Sequence, residues 1–199
     1  FVTIDPKTAK DFDDAVCLIE EDGKRTLWVA IADVAHYIEP ETLLDDEARA
    51  RATSVYLPHA VLPMLPSRLS DNLCSLRAKV PRLAMTVSMQ IENDCTIGKV
   101  TAFESIIEVQ ENLSYEDALD NPKFQDMMDL AEELRRNEIR LNLNSAELRP
   151  RVLEDEISVN VKWPNKATEM IETFMVATNN SIGILLGEKN APLPWRSHA

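Results

Sequence analysis

Four carboxylates fall within ten residues in the segment Asp5-Pro-Lys-Thr-Ala-Lys-Asp11-Phe-Asp13-Asp14. Apolar, strand-like runs flank it, Phe1-Val-Thr-Ile4 before and Ala15-Val-Cys-Leu-Ile19 after, so any fold that buries both runs also gathers the charges where they cannot all escape into bulk water. Two unit charges about 4 Å apart interact by about 4 kcal/mol at an effective dielectric near 20. An unneutralised cluster is therefore destabilised or takes up protons. A divalent cation resolves the conflict. Oxygen ligands without His or Cys select a hard ion, Mg²⁺, Mn²⁺ or Ca²⁺, over zinc or copper. In phosphoryl chemistry, two such ions about 3.5–4 Å apart activate a water and stabilise the leaving oxygen. The alternative is a solvated acidic loop, because charge runs usually face water.

An EF-hand does not fit: with Asp11 in its first position, Val16 stands where the turn glycine belongs and Asp22 where the bidentate Glu belongs. Asp11-Phe-Asp13 also resembles the DxD start of haloacid-dehalogenase-type phosphatases, whose first Asp is a covalent nucleophile. That motif follows an apolar strand directly, and here Thr8-Ala-Lys10 precedes it.

At 199 residues and 45% hydrophobic content the chain is long enough for one sizeable core or part of a larger one. It begins with Phe1, without a signal-peptide pattern or an apolar run long enough to span a bilayer, and reads as a segment of a longer protein with no membrane partner. The formal net charge of −13 argues against a phosphate-coating surface. RNA binding does not follow from charge. Cys17, Cys74 and Cys95 form no CxxC pair and are odd in number, so buried reduced thiols in a cytoplasmic protein, with no disulfide-linked partner, are expected. His36, His59 and His198 are isolated.

Periodicity predicts a mixed α+β domain. The runs 15–19 and 25–32 read as a hairpin around Gly23, and 83–91 with 97–103 as a second strand pair. Helices are expected over 41–52, 126–141 and 167–186, with apolar stripes through Met127, Leu130, Leu134 and Ile139 in the second, and Met170, Ile171, Phe174, Met175, Ile182, Leu185 and Leu186 in the third. The proline-rich stretch 56–66 is expected to be extended.

Several motifs in order resemble the ribonuclease II / ribonuclease R (RNB) family. They are Thr3-Ile-Asp5 with Asp11-Phe-Asp13-Asp14-Ala; Val29-Ala-Ile-Ala-Asp33-Val-Ala-His36-Tyr37; Arg51-Ala-Thr-Ser-Val-Tyr56-Leu-Pro with Pro63-Met-Leu-Pro66 and Leu73-Cys-Ser-Leu76; Glu172-Thr-Phe-Met175 with Asn179; and Pro194-Trp-Arg196-Ser-His198. The resemblance implies an RNB-type catalytic domain, a β-sheet core wrapped by helices, of which residues 1–199 are the N-terminal portion. It implies a 3′-to-5′ exoribonuclease that releases nucleoside 5′-monophosphates from single-stranded RNA with Mg²⁺, or Mn²⁺ as substitute.

Asp5, Asp11, Asp13 and Asp14 would hold metal, and Asp13 would be the carboxylate most needed for hydrolysis. Tyr56 would pack on the RNA 3′ end, and Glu172 would lie beside the terminal nucleotides. On residue type alone, Tyr56 reads as core packing ahead of a stacking platform, and Glu172 as a solvated helix face. The family's later arginine and glutamate, and its cold-shock and S1 modules, are not in this sequence, so the isolated piece is expected to be inactive. Association with other RNA-degradation proteins is a further expectation. Leu141-Asn-Leu-Asn-Ser-Ala146 departs from the family's glycine-containing segment. A non-catalytic RNB-like RNA-binding module and the DxD-type phosphatase are the rival readings.

Overall fold

Charged residues between two strands must sit at an end of the sheet those strands build, and a computed structural model of the chain shows which end. It describes residues 1–58, 60–136, 146–153 and 156–194. β1 (Val2–Asp5), β2 (Asp14–Glu21) and β3 (Lys24–Ala32) follow in sequence. β2 and β3 pair antiparallel from Asp14 opposite Ile31 to Glu21 opposite Lys24. The turn is Asp22-Gly23, with φ of 52° and 72°, the two left-handed residues of a primed hairpin turn. Because Asp22 joins Gly23 there, the loop is tighter than the sequence predicts and both strands are longer.

α1 (Leu43–Arg51) starts at Thr42, whose side chain accepts from the Asp45 N–H, and ends on left-handed Ala52. The proline-rich stretch folds back on itself as β4 (Val55–Tyr56) paired with β5 (Val61–Leu62). A π-helical turn, Leu69–Leu73, comes next. β6 (Pro81–Ile91) and β7 (Ile97–Glu108) form the expected second pair, extended at its outer end to Pro81 opposite Glu108. β8 (Glu111–Ser114), α2 (Tyr115–Leu119) and α3 (Gln125–Arg136) follow, then the β9 (Glu147–Leu153) and β10 (Glu156–Lys162) hairpin, and finally α4 (Lys166–Glu188). The part of the 126–141 helix beyond Arg136, most of the 141–146 departure, His59 and the Arg196-Ser-His198 motif lie outside the described residues.

The main sheet has the order β7-β6-β3-β2-β1-β8. Its neighbours are antiparallel except β1 and β8, which run parallel with Asp5 beside Ser114. Side chains alternate across it. On one face Ile4, Val16, Leu27, Val29, Val87 and Met89 pack with Met127, Leu130 and Leu134 of α3 and with Met170 and Phe174 of α4. The other face carries Ala15, Ala30, Ala32 and Ala84, and packs with Cys74 and Leu76. Alanines there let a loop main chain lie close against the strands. In α4 burial follows the expected stripe through Met170, Ile171 and Phe174, with Met175 and Ile182 half-buried against the core, and takes in Ala177, Thr178, Ser181 and Gly183 as well. No helix among the described residues is long and apolar enough to cross a membrane.

Phe174 is fully buried between sheet and helices. Phe174→Ala is expected to cost about 3–5 kcal/mol, read as a lowered urea midpoint; a loss below about 1 kcal/mol would place Phe174 outside the cooperative core.

Candidate active site

Asp5 ends β1 and Asp14 begins β2, so antiparallel pairing puts both at the same end of the sheet. The loop between them carries Asp11 and Asp13. The Ala32 N–H donates to the Asp13 carbonyl at 2.8 Å, tying the loop to the end of β3. The Asp5 carboxyl is pushed up from 3.8 to about 7, first by burial and then by the charges of Asp14, Asp13 and Asp11. Asp14 rises to about 6, from burial and then from Asp13. Asp13 is raised by desolvation first and by Asp11 second, although by surface area the residue is exposed; its neighbour's charge is the firmer cause.

One oxygen of Asp5, Oδ2, is buried and accepts no hydrogen bond. Nearby Asp117 is the contrast. Its carboxylate accepts from the Ser114 hydroxyl at 2.6 Å in the capping box of α2, and the Ser114 hydrogen bonds hold it below the usual carboxylate range. A buried carboxylate oxygen without a donor, among like charges, fits a hard cation. Among the described residues, no three His, Cys, Asp or Glu side chains already converge as a closed ligand group.

A second layer fixes the loop from outside. The Tyr56 hydroxyl donates to Asp11 Oδ2 at 2.8 Å, and its residue is 66% exposed. The core-packing reading of Tyr56 therefore fails: a hairpin of two-residue strands lifts the ring away from the core and over the acidic loop. Glu172 lies on the exposed side of α4, between buried Ile171 and Thr173. Its place beside the terminal nucleotides rests on the family resemblance. His36 stacks edge-on against Tyr37. Cys17, Cys74 and Cys95 form no disulfide, and only Cys74 is fully buried; Cys17 and Cys95 are half-buried, which corrects the expectation of three buried cysteines.

The sequence did not single out Ser75, Asn112 or Arg82. The Ser75 hydroxyl donates to the Lys10 carbonyl at 2.7 Å and accepts from the Phe12 N–H at 3.1 Å. Asn112 donates to the Thr3 hydroxyl and to the Leu76 carbonyl and accepts from the Ala78 N–H. Arg82 donates through Nε to the Ser75 carbonyl. The only sequence signal was the Leu73-Cys-Ser-Leu76 run, whose partners lie some sixty residues away.

The six-stranded sheet carries the aspartate quartet at the end of its first two strands, and comparison with known proteins gives the chain a family. The chain belongs to the RNB domain family, whose model matches residues 1–199. It is 35% identical over 212 residues to ribonuclease R of Chlamydia muridarum, covering 98% of this chain and 31% of that protein. It superposes on Mycoplasma genitalium RNase R in complex with ribose methylated single-stranded RNA with a TM-score of 0.93 and 30% identity, over 100% of this chain and 34% of that one. The same protein in complex with double-stranded RNA gives a TM-score of 0.93 and 30% identity, over 100% and 39%. The chain thus spans about a third of the length of these relatives. Family membership removes the phosphatase reading.

The raised aspartates make stability depend on pH. Between 3.8 and about 7 the folded state keeps the Asp5 proton that the unfolded chain gives up, so metal-free stability falls as pH rises through that window and levels off above it. Discounted for partial exposure, the loss is on the order of 1–3 kcal/mol. Thermal melts in EDTA across this range measure it. Saturating Mg²⁺ is expected to raise the melting temperature more at pH 8 than at pH 5, since about 2.7 kcal/mol is gained at 100-fold excess over Kd only where the carboxylates are ionised. Equal Mg²⁺ effects at both pH values would contradict the assignment.

Proposed function

We propose that the protein is a 3′-to-5′ exoribonuclease that hydrolyses single-stranded RNA and releases nucleoside 5′-monophosphates. The observation that carries this reading is the buried Asp5 Oδ2, which accepts no hydrogen bond and lies among the charges of Asp14, Asp13 and Asp11, in a chain that belongs to the RNB family. Similarity over its whole length to ribonuclease R supports it. A fold match to an RNA-bound relative supports single-stranded RNA as the substrate.

In this reading Asp5, Asp11 and Asp14 hold Mg²⁺, with Mn²⁺ as a substitute, and Asp13 lies beside them. The bound ions supply charge neutralisation for the phosphate and acidify water, in the two-ion arrangement common to phosphodiester hydrolysis. Asp13, the exposed member of the quartet, orients the attacking water and accepts its proton at a carboxylate oxygen. Water oxygen bonds to phosphorus and the bond from phosphorus to the 3′ oxygen breaks. A 5′-monophosphate leaves, and the shortened RNA ends in a 3′ hydroxyl. Tyr56 presents an exposed ring at the mouth of the site while its hydroxyl steadies Asp11. Such a ring takes any base, because stacking is indifferent to sequence. We assign Glu172 to the terminal nucleotides on the family resemblance alone. Cytoplasmic residence and association with other RNA-degrading proteins belong to the same proposal.

Asp13→Asn in the complete protein is expected to lower turnover by at least about a thousandfold while RNA affinity stays within about twofold, since a transition-state group is lost and the RNA path is not. Gel-resolved hydrolysis and filter binding measure the two, and near-wild-type turnover would remove Asp13 from the chemistry. For Tyr56, removing the ring is expected to lengthen the terminal product more than it slows the initial rate, because stacking worth about 1–3 kcal/mol per base matters most when few nucleotides remain bound. Tyr56→Ala should therefore shift the end-product ladder and Tyr56→Phe should leave it in place. An unchanged ladder in Tyr56→Ala would exclude the stacking role.

A further inference from the structure

Ser75 is fully buried, and its hydroxyl is spent on the acidic loop. It donates to the Lys10 carbonyl at 2.7 Å and accepts from the Phe12 N–H at 3.1 Å, so it grips the main chain on both sides of Asp11. One residue on, the Leu76 N–H donates to the Phe12 carbonyl at 2.8 Å. The segment 74–76 thus runs alongside 10–12 as a strap. The strap is itself anchored. Arg82 Nε and the Arg77 N–H both donate to the Ser75 carbonyl, and the Asn112 amide donates to the Leu76 carbonyl while also holding Thr3 in β1. The strap therefore ties the loop to the strand that carries Asp5.

The aspartates repel one another, so a loop held only by its two ends would relax by swinging Asp11 and Asp13 apart into water. A hydroxyl that is donor and acceptor at once is the smallest group able to hold two main-chain positions two residues apart. We propose that Ser75 is a positioning residue of the site: it fixes the backbone of residues 10–12 against carboxylate repulsion, and so presets the geometry in which Asp11 and Asp13 meet Asp5 and Asp14. The loop is then organised before a cation binds, and the cation does not spend its binding free energy ordering it. Groups behind metal ligands commonly alter metal affinity by 10–100-fold when removed.

This inference rests on the functional reading above for the identity of the cation and is independent of it for the loop. The experiment uses the complete protein with Ser75→Ala, and with Ser75→Cys as a near-isosteric variant of weaker hydrogen bonding. Amide hydrogen exchange in EDTA reads the backbone of residues 10–12, calorimetry with Mn²⁺ alone reads the site, and melting in EDTA reads the fold. Expected for Ser75→Ala are exchange of the Phe12 amide faster by at least about tenfold and Mn²⁺ affinity weaker by about 10–100-fold, with global exchange in the sheet unchanged. Ser75→Cys is expected to fall between Ala and wild type in both. Unchanged Phe12 exchange and Mn²⁺ affinity in either folded variant would overturn the proposal, as would a loss of protection spread evenly through the sheet. If the wild-type protein binds no Mn²⁺ while Phe12 exchange still depends on Ser75, the positioning role stands and the nuclease reading falls.

Discussion

Repulsion among four carboxylates at one end of a sheet is the constraint on which the structure turns. Hydrophobic burial of β1 and β2 brings Asp5 and Asp14 together, and their charges oppose that closure. The Asp5 carboxyl, raised to about 7, expresses the conflict directly: in the absence of a counter-charge the folded chain keeps a proton that water would remove. Asp117, close by in sequence to the strand that flanks Asp5, meets no such conflict because its cap donors satisfy it. What sets Asp5 apart is one buried oxygen without a donor among like charges, not the number of acids.

The fold supplies the forces that hold the charges in place. One face of the sheet builds the main core with α3 and α4, which fixes the strand ends. The alanine-rich opposite face admits the 74–76 strap, and the strap grips the loop by its main chain. Tyr56 closes the arrangement from the solvent side with a single hydrogen bond to Asp11. Rigid strands set two carboxylates, and a clamped loop sets the other two.

How much of this was readable in the sequence follows from the range of each interaction. The aspartate quartet was legible because its members are neighbours in the chain. The β2–β3 hairpin was legible from Gly23, and α3 from the spacing of Met127, Leu130 and Leu134. The Ser75 clamp was not, because a buried serine carries no local signal of partners far along the chain. Tyr56 read first as a core residue, since an apolar, proline-flanked stretch suits packing; only the β4–β5 pairing lifts it out. In α4 the helical period predicted the buried side, and the small residues Ala177, Ser181 and Gly183 on it carried no apolar signal. Glu172 owes its assignment wholly to family resemblance, and its position on the exposed side of α4 does not by itself bring it to the quartet.

The central claim is that the quartet is strained by its own charge and relieved by a divalent cation. Carboxyl carbon NMR of the protein labelled at aspartate, titrated with and without Mg²⁺, reads that strain at single residues. The account predicts that Asp5 titrates near 7 without metal, against 3.8 for an ordinary aspartate, and that Mg²⁺ drives it below that ordinary value. An Asp5 titration near 3.8 in the metal-free protein, unmoved by Mg²⁺, would contradict it.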